Sequence, residues 1–454
     1  MYVGQKGFTV LKSELQPASQ NELRKELTFA AKTMYLPGPP FFAWRESPNK
    51  FYLPRFYGEA KFGRAVLKLP PGQKVDLPFK GEVREAQRPA IDAFLAAGNG
   101  LLELPCGFGK TILSLYLISQ LGLKTLIVVH KEFLMEQWVE RIAEFLPTAK
   151  VGRIQGTTLD ISGKDIVIGM LQSLSMKEYE PGVFDSFGFT IVDETHHIAA
   201  EVFSNSLFKI VTPHMLGLSA TMERKDGLSK VFKLFLGEIV YTARRDKVDN
   251  MLVHKVVYVS DDAEFKKTET NFRGHADYTV MIRKLCAFSP RNEFILVVLQ
   301  HLLTDARNAQ IMVLSQNRAL LDYLHAAIEH RGIAPVGFYV GGMKPKALKK
   351  SEECRLILGT FAMAEEALDI KTLTTLVLAT SKTGVEQAVG RILRVKHEQP
   401  LVVDIVDEHE TFKNQWKKRK SFYVQNGYRI VQSESPTYPA LVPEKKKVGK
   451  CMLL

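Results

Sequence analysis

Cysteine is scarce in this chain, with four in 454 residues: Cys106, Cys286, Cys354 and Cys451. They are widely scattered and form no CxxC pair and no metal-ligand spacing, which excludes a disulfide framework or a zinc site and points to a reducing compartment. Long apolar runs are missing too, since none approaches the roughly 18–20 residues that a membrane-spanning helix needs. The opening stretch, Met1 to Gly7, lacks the charged-then-apolar layout of a signal peptide, so the expectation is an intracellular, soluble protein. What is present suits a globular chain, with 46% hydrophobic and 24% charged residues. The length is too great for one ordinary core and suggests two to four domains of roughly 100–200 residues.

Acidic charge is also in deficit. The formal net charge is +12, of which residues 1–80 carry about +7 and residues 412–454 about +8, leaving the middle slightly acidic. A basic excess attracts phosphate backbones through counterion release. Basic tails that merely aid solubility are the plainer alternative, and charge alone does not separate the two.

Four segments follow from the pattern along the chain. Residues 1–80 are rich in Pro, Gly and aromatics, as in Leu36-Pro37-Gly38-Pro39-Pro40-Phe41-Phe42-Ala43-Trp44, which predicts a small β-rich module. Residues 81–245 alternate apolar strand-like runs (125–129, 165–168, 189–192) with helical patterns, including an amphipathic stretch over 134–145. Residues 246–411 repeat the alternation, with strands expected at 311–314, 355–358, 375–379 and 400–405. Such alternation implies parallel sheets covered by helices, and two blocks of it imply two α/β lobes. Residues 412–454 read as a basic tail ending in Lys445-Lys446-Lys447-Val448-Gly449-Lys450.

The first block carries Leu104-Pro105-Cys106-Gly107-Phe108-Gly109-Lys110-Thr111, which runs from an apolar strand through glycines into a helix. Glycines let backbone N–H groups approach phosphate oxygens, and the helix N-terminus adds a favourable dipole. Lys110 is then placed for the β/γ-phosphates of ATP and Thr111 for Mg²⁺. The strict phosphate-loop pattern has a glycine where Leu104 stands, so a chance glycine turn is the competing reading. Phe189-Thr190-Ile191-Val192-Asp193-Glu194 weakens that alternative, because an apolar strand here delivers two adjacent carboxylates. Asp193 suits Mg²⁺, directly or through water, and Glu194 suits polarising the attacking water. In the second block Gln387, Arg391 and Arg394 fall at i, i+4 and i+7, on one helical face. Two arginines on one face are ordinarily a solvated surface. In a two-lobe ATPase they form the guanidinium fork that meets the γ-phosphate.

These motifs together resemble the superfamily 2 helicases. Asp193-Glu194-Thr195-His196 is similar to a DExH box, Ser219-Ala220-Thr221 to the third motif, Gly359-Thr360-Phe361 through Asp369 to the fifth, and Gln387 to Arg394 to the sixth. Ala367 stands where relatives usually carry glycine. The resemblance implies two tandem RecA-like lobes with ATP and Mg²⁺ as ligands. It implies that Arg84 and Gln87 read adenine, that Asp369 links nucleotide to track, and that His130, Gln172, Ser219, Thr221 and Thr360 meet nucleic acid or couple to it. Leu218 to Gly227 resembles the XPB-like branch, with Arg224 and Asp226 of its Arg-Glu-Asp element present and Lys225 replacing the acid. Phe338 to Lys344 together with Thr360 to Asp369 looks most like the DNA helicases of large DNA viruses, the poxvirus transcript-release type among them, with the UvsW type next. The cytoplasm or nucleus, including that of a virus-infected cell, or a virion, is the location this implies.

The function expected is an ATP-dependent DNA helicase or translocase, with single-stranded, forked or duplex DNA as partner. RNA and the transcription machinery are further candidate partners. Two alternatives compete: a duplex translocase that releases transcripts or remodels forks without processive unwinding, and a nucleic-acid-binding scaffold with a weak ATPase. The motor of a restriction system is a third, although residues 1–80 and 412–454 hold no local nuclease constellation. Aromatics of the first segment (Phe41, Phe42, Trp44, Phe51, Tyr52, Phe56, Tyr57) are interleaved with Lys50, Arg55, Lys61 and Arg64. This suits single strands, or else a ring-filled core with basic residues outside. Cys451-Met452-Leu453-Leu454 matches a C-a-a-X box, which adds a membrane as partner only if Cys451 is prenylated in a eukaryotic cell; a lone cysteine in a basic tail is the plainer reading.

Overall fold

The strand runs of the first block are buried almost throughout, as in Thr125–Val129 and Phe189–Val192. Apolar runs without alternation belong to strands covered on both faces. The structure, a computed structural model, describes residues 1–30, 38–105, 107–194, 200–220, 227–243, 250–305, 307, 310–366, 370–393 and 397–438. It divides into two units, Met1–Arg245 and Asp246–Leu454.

In the first unit an eight-stranded sheet has the order Thr158–Leu159, Val151–Gln155, Ile166–Met170, Thr125–Val129, Phe189–Val192, His214–Ser219, Asn99–Glu103, Ile239–Thr242. All its neighbours are parallel except the first pair. Successive side chains enter two different cores. Ile127, Val129, Ile166, Ile168 and Ile191 meet Ile91, Leu113, Leu117, Trp138 and Ile142 of the helices Arg88–Ala97, Lys110–Leu121 and Glu132–Phe145. Leu126, Val128, Val167 and Val192 face the other way, toward Phe203 and Phe235 of Ala200–Leu207 and Ser229–Leu236.

That second core continues without a break into the N-terminal segment, through Val3, Phe8, Val10, Phe51 and Leu53. The segment forms a five-stranded sheet, Arg45–Glu46, Lys50–Leu53, Gly7–Leu11, Tyr2–Gly4, Val66–Leu67. It also has the helices Pro17–Glu26 and Arg55–Phe62. Gly58 lets the second helix lie on the sheet, since a Cβ there would stand 2.1 Å from the Phe8 ring. Arg55, nearly buried, ties the segment to the larger sheet by donating to the carbonyls of Pro213 at 3.0 Å and Thr212 at 3.3 Å. The rings divide between two fates: Phe41 and Phe51 are buried, whereas Phe42 is 48% exposed.

The second unit is a seven-stranded, wholly parallel sheet: Val336–Tyr339, Leu356–Thr360, Ile311–Ser315, Thr375–Leu378, Leu401–Asp407, Leu252–Tyr258, Arg429–Glu434. Residues 412–438, expected as part of a basic tail, are instead structural. The helix Glu410–Gln425 buries Phe412, Trp416, Arg419 and Tyr423, and the strand Arg429–Glu434 extends the sheet beside Leu252–Tyr258. The lysines that made this stretch look like a tail, Lys413, Lys417, Lys418 and Lys420, lie on the helix's exposed face. Among the described residues two ion pairs stand at 0% side-chain exposure. Arg419 meets Asp404 at 2.7 and 2.8 Å, and Arg291 meets Asp407 at 2.5 and 2.9 Å. Residues 445–454, with the C-a-a-X sequence, lie outside the described residues.

Candidate nucleotide site

The helix Lys110–Leu121 starts directly after Gly107 (φ +83°) and Gly109 (φ +86°), both left-handed. A helix start of this kind presents backbone N–H groups without intrahelical partners and the positive end of the helix dipole, which suits an anion such as a phosphate. Gly109 is further constrained from behind, because a Cβ there would stand 2.5 Å from Gln87 Nε2 and 2.7 Å from Arg84 Nη2. Gln87, 1% exposed, donates to the carbonyls of Phe108 (2.9 Å) and Gly109 (3.2 Å) and accepts the Arg84 N–H at 3.0 Å. The Arg84 guanidinium donates to the Phe108 carbonyl and, at 3.4 Å, to that of Gly107. Arg84 and Gln87 thus hold the loop's backbone in the arrangement seen here.

The buried strand Phe189–Val192 carries Asp193 and Glu194 at its C-terminal end, where ligands of parallel α/β sheets collect. Lys110 Nζ lies 2.7 Å from Glu194 Oε1, so the two motifs, 84 positions apart, meet in space. Among the described residues Glu194 is the one non-glycine with positive φ, +49°, a conformation that costs about 1–2 kcal/mol and tends to persist at functional sites. Asp193 is buried; one oxygen accepts the Glu194 N–H at 2.9 Å and the other the Trp138 indole N–H at 3.0 Å. Burial, and then the neighbouring Glu194 charge, push the Asp193 carboxyl up to about 6, against the pull of Lys110 and the Trp138 hydrogen bond. Thr111, half-buried, is the second residue of the helix.

The donor set fits a magnesium–nucleotide. It offers a turn with two left-handed glycines, an ammonium for phosphate oxygens, and a carboxylate and hydroxyl for a cation that keeps several of its waters. Trp138 was not singled out from the sequence. Its only signal there is a tryptophan on the apolar face of the 134–145 pattern.

Other expected residues sort into separate groups. His130, buried after the strand Thr125–Val129, and Gln172 come together, with the Gln172 amide donating to the His130 carbonyl at 3.2 Å. Ser219 ends the strand His214–Ser219, buried, and its carbonyl accepts the Leu104 N–H at 2.8 Å. In the second unit Thr360 ends the strand Leu356–Thr360, and Gln387 and Arg391 lie on the helix Glu386–Arg391. Arg391 is nearly buried and donates to the Ala364 carbonyl at 3.1 Å. Thr221, Arg224, Asp226, Asp369 and Arg394 lie outside the described residues.

Comparison with known proteins identifies what these elements belong to. Residues 80–224 match the family described as "Type III restriction enzyme, res subunit". Over 446 residues the chain is 33% identical to L396 of Acanthamoeba polyphaga mimivirus, which carries the name of an ATP-dependent RNA helicase, covering 93% of this chain and 85% of the relative. The chain belongs to the superfamily 2 helicases. This helicase is also 27% identical over 378 residues to 161L of Invertebrate iridescent virus 6, named a helicase, with 78% and 83% of the two chains covered. Its fold is that of the solved structure "S. cerevisiae Dbp5 bound to RNA and ADP BeF3", at a TM-score of 0.55 and 12% identity over 78% of this chain and 90% of the other. The two parallel-sheet units are therefore RecA-like lobes, and the helicase is an ATP hydrolase that acts on nucleic acid. Among the described residues, no helix is long and apolar enough to cross a membrane.

Proposed function

We propose that this helicase is a DNA motor that hydrolyses ATP on the glycine-capped helix of its first lobe. The observation that carries the ATPase site is the 2.7 Å Lys110–Glu194 pair at the mouth of that helix, beside buried Asp193. Lys110 binds the β/γ-phosphates, with the N–H groups around Gly107 and Gly109. Thr111 and Asp193 hold Mg²⁺, which supplies neutralisation of phosphate charge when bound. Glu194 takes up the proton of the attacking water, so Lys110 must leave it for the nucleotide. Arg84 and Gln87 meet the adenine on giving up the loop carbonyls they hold here. Gln387, Arg391 and Arg394 stabilise charge on the γ-phosphate, and Asp369 links nucleotide to track.

His130, Gln172, Ser219, Thr221, Arg224, Asp226 and Thr360 serve the nucleic-acid track and its coupling. Residues 1–80 act as an adaptor for the track, ahead of a first lobe at 81–245 and a second that starts at 246 and takes in the helix Glu410–Gln425 and the strand Arg429–Glu434. Contacts of this kind go to the phosphate backbone, so binding is largely sequence-independent and weakens with salt. Movement needs a grip on the track that differs between nucleotide states.

The XPB-like wording of Leu218 to Gly227 favours DNA. RNA is the second reading, favoured by the name of the mimivirus relative and by the RNA in the Dbp5 complex. The deciding experiment is the ATPase rate with DNA forks, single strands, duplex and RNA, for wild type and Glu194→Gln. Stimulation by DNA that is lost in the variant is the expected result. Stimulation by RNA alone would reverse the assignment of the track. No stimulation by any of them would favour a scaffold with a weak ATPase.

A further inference from the structure

Trp138 stands on the helix Glu132–Phe145, 2% exposed, in the core formed by Met135, Ile142, Phe189 and Ile191. For packing alone a phenylalanine or leucine would serve. A buried indole also brings an N–H that must find an acceptor. Here the acceptor is Asp193 Oδ2, 3.0 Å away and 55 positions later in the chain. Asp193 Oδ1 already receives the Glu194 N–H at 2.9 Å. With one donor on each oxygen, rotation of the carboxylate about its own axis would stretch both bonds.

The kind of donor matters as much as its position. A lysine or arginine at Trp138 would satisfy Asp193 with a positive charge that competes with a cation. The indole satisfies it with none, and leaves each oxygen a second lone pair.

We infer that Trp138 is a positioning residue for Asp193, holding its carboxylate in the rotation that receives a divalent cation or a water bound to one. The inference rests on the role proposed above for Asp193. Residues that orient a metal ligand in this way typically change metal affinity about 10–100-fold when replaced.

The test is Trp138→Phe, which keeps a ring in the core and removes the donor. Binding of a fluorescent ATP analogue is titrated with Mg²⁺ and compared with binding in EDTA. The expected result is a Mg²⁺ requirement raised about 10–100-fold, with affinity in EDTA changed by less than about threefold. That split separates positioning from loss of packing, which would weaken binding in both conditions. Asp193→Asn is run beside it. If Asp193→Asn raises the Mg²⁺ requirement and Trp138→Phe does not, the inference about Trp138 is overturned and the reading of Asp193 stands. If neither variant raises it, the reading of Asp193 fails and takes the inference with it.

A second measurement needs no substitution at Trp138. The chain has three tryptophans, so the indole N–H resonance of Trp138 can be assigned by elimination with Trp44→Phe and Trp416→Phe. The Trp138 resonance is expected to move when Mg²⁺ is added to the nucleotide complex. An unmoved resonance at saturating Mg²⁺ would overturn the inference.

Discussion

Gly109 answers two demands at once, a left-handed backbone at φ +86° and room for Gln87 and Arg84 behind it. Gly109→Ala should meet both penalties. The left-handed conformation alone costs an alanine about 1–2 kcal/mol, and the new Cβ displaces the two side chains that hold the loop. The expected outcome is at least a tenfold loss of nucleotide affinity by a fluorescent-analogue titration, since about 1.4 kcal/mol is a factor of ten, with an unchanged circular dichroism spectrum. Glu194→Gln should act differently, binding nucleotide while hydrolysing it at least about a hundredfold more slowly in single-turnover assays, as loss of a general base predicts. The glycines, Lys110 and the acid pair could all be read in the sequence, because phosphate chemistry demands those residue types at close spacing. The grip of Arg84 and Gln87 on the loop could not, because it depends on where a short helical turn lies against a loop some twenty positions later.

Elements show the same division. Strands at 125–129 and 189–192 were evident as apolar runs, and the structure has them at Thr125–Val129 and Phe189–Val192. The helix Glu410–Gln425 was masked by its lysines, although Phe412, Trp416, Arg419 and Tyr423 recur at helical spacing. What makes Arg419 a core residue is Asp404 on the neighbouring strand. Arg419→Ala leaves that carboxylate buried without its cation, and should destabilise the second lobe by about 3–5 kcal/mol, read from urea unfolding.

His254 provides a pH test on the same sheet. Its ring meets Ser433 Oγ at 2.8 Å, and burial, helped by His301, holds its pKa down to about 4 against an ordinary 6.5. The unfolded chain therefore binds the extra proton first. The contribution is complete above pH 6.5 and is lost as pH falls through 6.5 toward 4. The melting temperature of the second lobe should decline over that window, and His254→Gln should make the decline shallower.

At the scale of the whole first unit, the N-terminal 80 residues have a sheet of their own but share their core with the ATPase lobe. Removing residues 1–67 should uncover the apolar face around Phe203, Phe208 and Phe235. The expected result is aggregation on size-exclusion chromatography, and a monodisperse, ATP-binding truncation would show that the lobe closes its core alone. Composition had placed a β-rich module here without showing what its rings pack against.

Local chemistry explains what the sequence determined by itself. Strand–helix alternation, a glycine-flanked lysine and an acid pair after an apolar strand each lie within a few consecutive residues, and together they specified the α/β class, the ATPase and the helicase family. Tertiary structure alone decided which distant side chains share a buried acceptor or a core: Trp138 on Asp193, Arg419 on Asp404, and Phe8 and Phe51 in one cluster with Phe235. Such pairings leave no periodic trace, because burial makes a polar group find a partner without setting how far along the chain that partner lies.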